Sequence, residues 1–195
     1  MKRKMEATTG IKIPADNQAG TGHRQWFVMR DLSRSNAKLP AREMLREKNI
    51  RHFTPMVWLM ATANGKRQPR LVPYIQDLIF VYDTREVIDP LVERIRTFQY
   101  RYLRNTWREP MTVRDREMER FIRAVESTQS PRYYTPEEIT PDMRDRKIRI
   151  IGGPLDGYTG TLVTVRGSKH KRLLVEIPML LAAAVEVEPE YIKLV

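Results

Sequence analysis

The chain has 195 residues, 41% of them hydrophobic and 30% charged, and Lys and Arg outnumber Asp and Glu by 35 to 24, a formal net charge of +11. That apolar fraction suffices for one ordinary domain or two small ones, and the basic excess makes DNA, RNA or a nucleoprotein machine the leading class of partner. The absence of cysteine excludes disulfides, thiol nucleophiles and thiolate metal sites.

Residues 1–24 are polar and basic with scattered glycines, and they read as a disordered tail. Met1–Gly10 has no apolar stretch behind it, unlike a secretory leader, and no apolar run approaches the ~20 residues that cross a bilayer as a helix. A soluble cytoplasmic protein is expected.

Trp26-Phe27-Val28-Met29 reads as a buried strand. A helix should follow from near Asn36, with Ala37, Ala41, Met44, Leu45 and Lys48 on one face and Lys38, Arg42 and Arg46 on the other. Ile50–Ala61 reads as a strand, Asn64-Gly65 as a hairpin turn, and Leu71–Tyr82 as a long returning strand. Asp89-Pro90 should open a short helix through Arg96, with a strand over Gln99–Arg104. Thr112 and Asp115 have the spacing of a capping box. Behind them Met118, Phe121, Ile122 and Val125 recur at i, i+3, i+4 and i+7, the mark of an amphipathic helix. Residues 25–126 therefore predict an α+β sandwich of helices against an antiparallel sheet.

Residues 127–144 hold Pro131, Pro136 and Pro141 among polar residues and read as a semi-extended linker. From Asp145 the texture is of short strands, at 147–151, 160–165, 173–177, 185–187 and 191–195, as in a small barrel. Met179–Ala184 is rich in helix formers and reads as a loop or helical turn between them.

The most specific stretch is Ile148–Leu162, in which Gly153, Pro154, Gly157, Gly160 and Leu162 stand in a fixed pattern between apolar residues. It resembles the KOW motif of NusG-type proteins. Trp26-Phe27-Val28, Phe53-Thr54-Pro55-Met56, Gly65-Lys66-Arg67 and Ile79-Phe80-Val81 resemble successive landmarks of the NusG N-terminal (NGN) domain. The long hairpin is similar to that of specialised paralogues of the RfaH and UpxY types. Gln76-Asp77-Leu78 departs from the family's Pro-Gly-Tyr. The resemblance implies an NGN-type antiparallel sheet with flanking helices at 25–126, a linker at 127–144 and an all-β, SH3-like KOW barrel at 145–195.

It also implies a function. The chain would be a monomeric elongation or antitermination factor docked on the clamp helices of RNA polymerase, promoting processive transcription of particular operons. Tyr74, Ile75, Leu78 and Phe80, with Trp26 beneath them, would form the docking surface. Arg34, Lys38, Arg42 and Arg46, with Lys66 and Arg67 at the hairpin tip, would face non-template DNA or nascent RNA through phosphate contacts. Lys169, His170, Lys171 and Arg172 would form a basic barrel loop suited to RNA or a ribosomal protein. The alternative is a KOW-containing RNA- or ribosome-binding protein without polymerase contact. The RfaH type also implies a second domain able to refold as a helical hairpin, should two packings lie close in energy.

No enzyme is expected. His23, His52 and His170 are scattered, no phosphate-binding glycine loop is present, and no cofactor is implied.

Overall fold

The computed structural model describes residues 22–34, 37, 39–63, 66–104, 106–163 and 170–195. The expected tail at 1–24 and the Asn64-Gly65 turn therefore lie almost wholly outside the described residues.

Five antiparallel strands form the first sheet. They are β1 (Gln25–Asp31), β2 (Arg51–Phe53), β5 (Leu78–Asp83), β6 (Phe98–Tyr100) and β7 (Thr112–Val113). The order is β2-β5-β1-β6, with β7 also paired to β1. Burial on both faces of β1 explains why Trp26 to Met29 are all apolar. Phe27 and Met29 point to one face, where they meet Ile79, Val81, Phe98 and Tyr100. Helices α1 (Ala41–Glu47) and α2 (Arg85–Arg94) cover that face with Met44, Leu45 and Ile88. Trp26 and Val28 point to the other, where they meet Leu78, Phe80 and helix α3 (Asp115–Glu126).

The second sheet has six strands in the order β13-β9-β10-β11-β12-β8. These are β8 (Arg132–Tyr134), β9 (Arg144–Ile150), β10 (Thr159–Val163), β11 (Arg172–Ile177), β12 (Leu181–Glu186) and β13 (Ile192–Leu194). Helix α3 lies between the two sheets. Its Phe121 and Val125 share one continuous cluster with Trp26 and Phe80 on one side and with Leu173, Val175 and Ala183 on the other. Strands β3 (Met56–Ala63) and β4 (Lys66–Pro73) form a separate two-stranded arm.

The mixed α+β class and the C-terminal β domain agree with the sequence reading, and several local expectations are corrected. The expected strand over 71–82 breaks at Tyr74–Asp77, where Leu78 N–H donates to Ile75 O at 3.1 Å. Helix α2 begins at Arg85 and carries Pro90 inside it, because the buried Ile88 anchors its first turn to the sheet. Thr112 sits in β7 opposite Phe27, and α3 starts after Arg114, whose side chain makes no capping hydrogen bond. Met179 and Leu180 do lie in a turn, but Leu181–Ala184 open β12, paired to β11 along its length and to β8 at Ala182–Ala184. Burial between neighbours overrides alanine's helix propensity there.

Helix α1 is shorter than expected. Pro40 holds extended backbone ahead of it, and Asp31 supplies the missing cap: its carboxylate accepts Ala41 N–H at 2.8 Å and Ser33 N–H at 2.9 Å. Within the stretch read as a linker, Arg132–Tyr134 is a strand of the second sheet, followed by 3-10 turns at Pro136–Glu138 and Pro141–Met143.

Candidate functional site

The turn from β4 into β5 gathers the candidate docking residues. Tyr74 N–H donates to Pro55 O at 2.8 Å, which fixes the base of the hairpin arm. Asp77 holds the other end. Its carboxylate accepts from Arg30 Nε at 2.8 Å and lies 3.6 Å from Arg101, and its carbonyl accepts Asp31 N–H at 2.9 Å. The sequence shows Asp77 only as a departure from the family pattern. In the fold it is the anchor that ties the turn to β1 and to the segment after β6.

Three of the five candidates do not reach the surface. Trp26, Leu78 and Phe80 are fully buried in the cluster under α3. The Trp26 ring packs at a tilt against Tyr82, centroids 5.2 Å apart, with the Arg51 guanidinium 5.0 Å from its ring centroid. Only Tyr74 and Ile75 are half-buried, packed on the rim of that cluster.

Tyr74 is closely held. Its ring meets Tyr133 at 5.5 Å, and its hydroxyl donates to Glu138. Burial, then the hydrogen bond to Glu138, raises the Tyr74 pKa above its ordinary value. The same hydrogen bond lowers that of Glu138, which also accepts Thr135 N–H at 2.7 Å in a capping box. Tyr133 is itself pushed up to about 12 by burial. Between the hairpin arm and this strand runs a groove of about 930 Å³, whose lining includes Trp58, Leu71, Tyr74 and Tyr133.

The candidate cations divide. Arg34 is exposed in the coil before α1, and Lys38 lies outside the described residues. Arg42 and Arg46 share Glu43, at 3.5 and 2.7 Å, so a single carboxylate offsets both. Lys66 and Arg67 are exposed at the start of β4, as the hairpin reading expects.

In the barrel, Gly157 adopts φ +78 with open space around it, and Gly153 adopts φ +68. Pro154 lies in the same turn. Gly160 is needed for closeness: a Cβ there would stand 2.8 Å from both Leu174 O and Leu173 Cδ1. Of the basic loop, Lys169 is outside the described residues, while His170 and Lys171 are exposed. Arg172 is not a loop residue. It opens β11 with 3% of its surface exposed, ion-pairs with Glu186, and donates to Ser130 O at 3.0 Å and Ala184 O at 3.3 Å. It ties the 127–144 segment to the barrel.

The sequence reading passed over two surface features. Trp58, Leu59, Met60 and Leu71 stand exposed on the hairpin arm, and Trp107 is exposed after β6. In a sequence, apolar residues of a strand read as core. Among the described residues no cluster of His, Asp or Glu has the arrangement of a metal site, and no helix is long and apolar enough to cross a membrane.

Residues 24–122, which hold the first sheet, α1, α2 and most of α3, match the family model described as "NusG: Transcription termination factor nusG". The chain belongs to the NusG family. That is a family of transcription factors, not of enzymes, whose members generally bind RNA polymerase. Among solved structures, this NusG-family chain is similar to NusG of Thermotoga maritima, in work on the interaction of its domains. The identity is 13% and the TM-score 0.43, over 90% of this chain and 99% of that one. No curated protein matches it.

Proposed function

We propose that this NusG-family chain is an elongation factor that docks on the clamp helices of RNA polymerase and promotes processive transcription, of particular operons as in specialised paralogues. The observation that carries the proposal is the family match over residues 24–122, which covers the sheet, α1, α2, most of α3 and the anchored Tyr74–Asp77 turn. Docking uses the rim of that turn, Tyr74 and Ile75, while Leu78, Phe80 and Trp26 support it from the core. Arg34, Arg46, Lys66 and Arg67 then face non-template DNA or nascent RNA by phosphate contacts that read no base. The chain acts as a monomer in the cytoplasm, with no catalytic step of its own. Its effect is linkage: a ligand that holds one polymerase conformation more tightly shifts the population towards it.

The test is binding of the full chain to purified RNA polymerase core. Ile75→Asp should abolish binding without changing the circular dichroism spectrum. Leu78→Asp is a poor probe, because a carboxylate at a fully buried site unfolds its surroundings. If the intact chain fails to bind polymerase but binds RNA or ribosomes, the barrel-centred alternative replaces this reading, with the exposed Lys171 as its starting point.

A further inference from the structure

The segment joining β6 to β7 was not singled out by the family resemblance, and its composition differs from the turns around it. It reads Arg101-Tyr102-Leu103-Arg104, then Thr106-Trp107-Arg108-Glu109-Pro110. Its base is a hydrogen-bonded ladder built on the central strand. Arg101 N–H donates to Val28 O at 2.9 Å, Val28 N–H to Met111 O at 2.9 Å, and Met111 N–H to Arg101 O at 2.7 Å. Further out, Tyr102 bridges to Pro110, Leu103 N–H donates to Glu109 O at 3.0 Å, and the Thr106 hydroxyl donates to Leu103 O at 3.1 Å. The described part of the loop is thus a narrow extension tied to the core, with its apex held out from the sheet.

At that apex Trp107 is 90% exposed. A tryptophan left in water forgoes the burial its large ring usually finds. Beside it Arg108 takes φ +49, a left-handed conformation that non-glycine residues adopt at a cost, and its guanidinium carbon lies 5.7 Å from the Trp107 ring centroid. Tyr102, 45% exposed, stands lower on the same loop with its ring 6.2 Å from that of Tyr100. Arg101 leans on Asp77, but neither Arg104 nor Arg108 has an ion-pair partner among the described residues. Glu109 is the loop's one carboxylate.

We infer that this loop is a binding site for single-stranded nucleic acid, in which an unpaired base stacks on Trp107 while Arg104 and Arg108 take the flanking phosphates. The chemistry selects that ligand. An aromatic face beside guanidinium groups that have no ion pair among the described residues matches the alternation of base and phosphate along a single strand. A paired base offers no free face to an indole. An acidic peptide would satisfy the arginines and leave the indole in water, and an apolar partner would meet two uncompensated cations at the rim. Stacking tolerates any base, so the site supplies grip without sequence readout. It is separate from the cations of α1 and the hairpin, and it stands whether or not the clamp-docking reading holds.

The test uses the full chain and fluorescence anisotropy with a labelled twelve-nucleotide oligo-dT, a duplex of equal length and a poly-glutamate peptide. Trp107→Ala should weaken oligo-dT binding about tenfold with the duplex affinity unchanged, and Trp107→Phe should restore most of the loss. Arg104→Gln with Arg108→Gln should flatten the dependence of log affinity on log salt by about 1.4, two released counterions on a single strand. Because these side chains are exposed, all variants should melt as the parent chain does. The inference is overturned if the intact chain does not bind oligo-dT at low salt, or if Trp107→Ala binds it like the parent. It is also overturned if single strand and duplex weaken together, or if poly-glutamate is the ligand lost. Polymerase binding measured on the same variants should be unchanged, which separates this site from clamp docking.

Discussion

Tyr74, in the turn between the hairpin arm and the first sheet, donates its phenolic hydrogen to Glu138, which lies beyond α3 in the segment leading into the second sheet. This is the one side-chain hydrogen bond among the described residues that joins that turn to that segment, and the Tyr74–Tyr133 ring contact lies beside it. The pair has a pH window. Glu138, with its pKa lowered chiefly by Tyr74, contributes stability above the ordinary carboxylate pKa of about 4.3 and loses it as pH falls through the lowered value. Tyr74, with its pKa raised, stays protonated in the fold after the unfolded chain begins to ionise, so stability falls as pH rises past about 10. Tyr74→Phe should speed amide exchange across residues 132–138 at neutral pH. It should also reduce the acid sensitivity of that exchange and remove its alkaline limb. Unchanged exchange at pH 7 would show that the ring contact alone holds the segment.

Phe121 sits where α3 touches both sheets, packed edge-on to Phe53 at 6.1 Å and near Tyr133 at 6.4 Å. Phe121→Ala should cost about 3–5 kcal/mol by denaturant titration, the range for a large buried aromatic. A cost under 1 kcal/mol would mean that the layers on either side of α3 close the gap.

Two glycines of the barrel should fail for different reasons. Gly160→Ala drives a methyl against Leu174 O and should cost about 1–3 kcal/mol through overpacking. Gly157→Ala meets empty space and should cost about 1–2 kcal/mol, from the positive φ alone. Thermal melts of both, with Gly157→Asn beside them, check this. Asparagine tolerates the left-handed region, so it should recover part of the loss at 157.

Glu186→Gln leaves the buried Arg172 guanidinium with carbonyl partners only. Glu186 is itself about one-third exposed, so water offsets part of the loss. The expected cost is about 1–2 kcal/mol, with faster exchange at Ser130–Tyr134 than at β10. Equal exchange at both places would mean that Arg172 does not tether the segment.

Helix α3 was legible because four apolar residues at helical spacing leave one solution, a stripe facing the core. The barrel turn was legible because its glycine spacing encodes backbone conformations that the chain does adopt at Gly153 and Gly157. Strand β12 was not, because Ala182–Ala184 are extended only through neighbours distant in the sequence. The docking candidates show a similar limit. Apolarity marks Trp26, Phe80 and Ile75 alike, and only the path of α3 decides that the first two are sealed and the third is not. Asp31 and Asp77 were missed as anchors because the partners they anchor, Ala41 and Arg30, lie 10 and 47 residues away.

The pairing of Arg132–Tyr134 with Ala182–Ala184 bears on how the barrel can be handled alone. A fragment begun at Asp145 would lack β8 and expose the backbone edge of β12 at Ala182–Ala184, within a run that carries no charge until Glu186. Such a bare edge recruits the same edge of another copy. A fragment begun before Ser130 would keep both the strand and the Arg172 tether. The shorter fragment should therefore self-associate as its concentration rises, while the longer one stays monomeric.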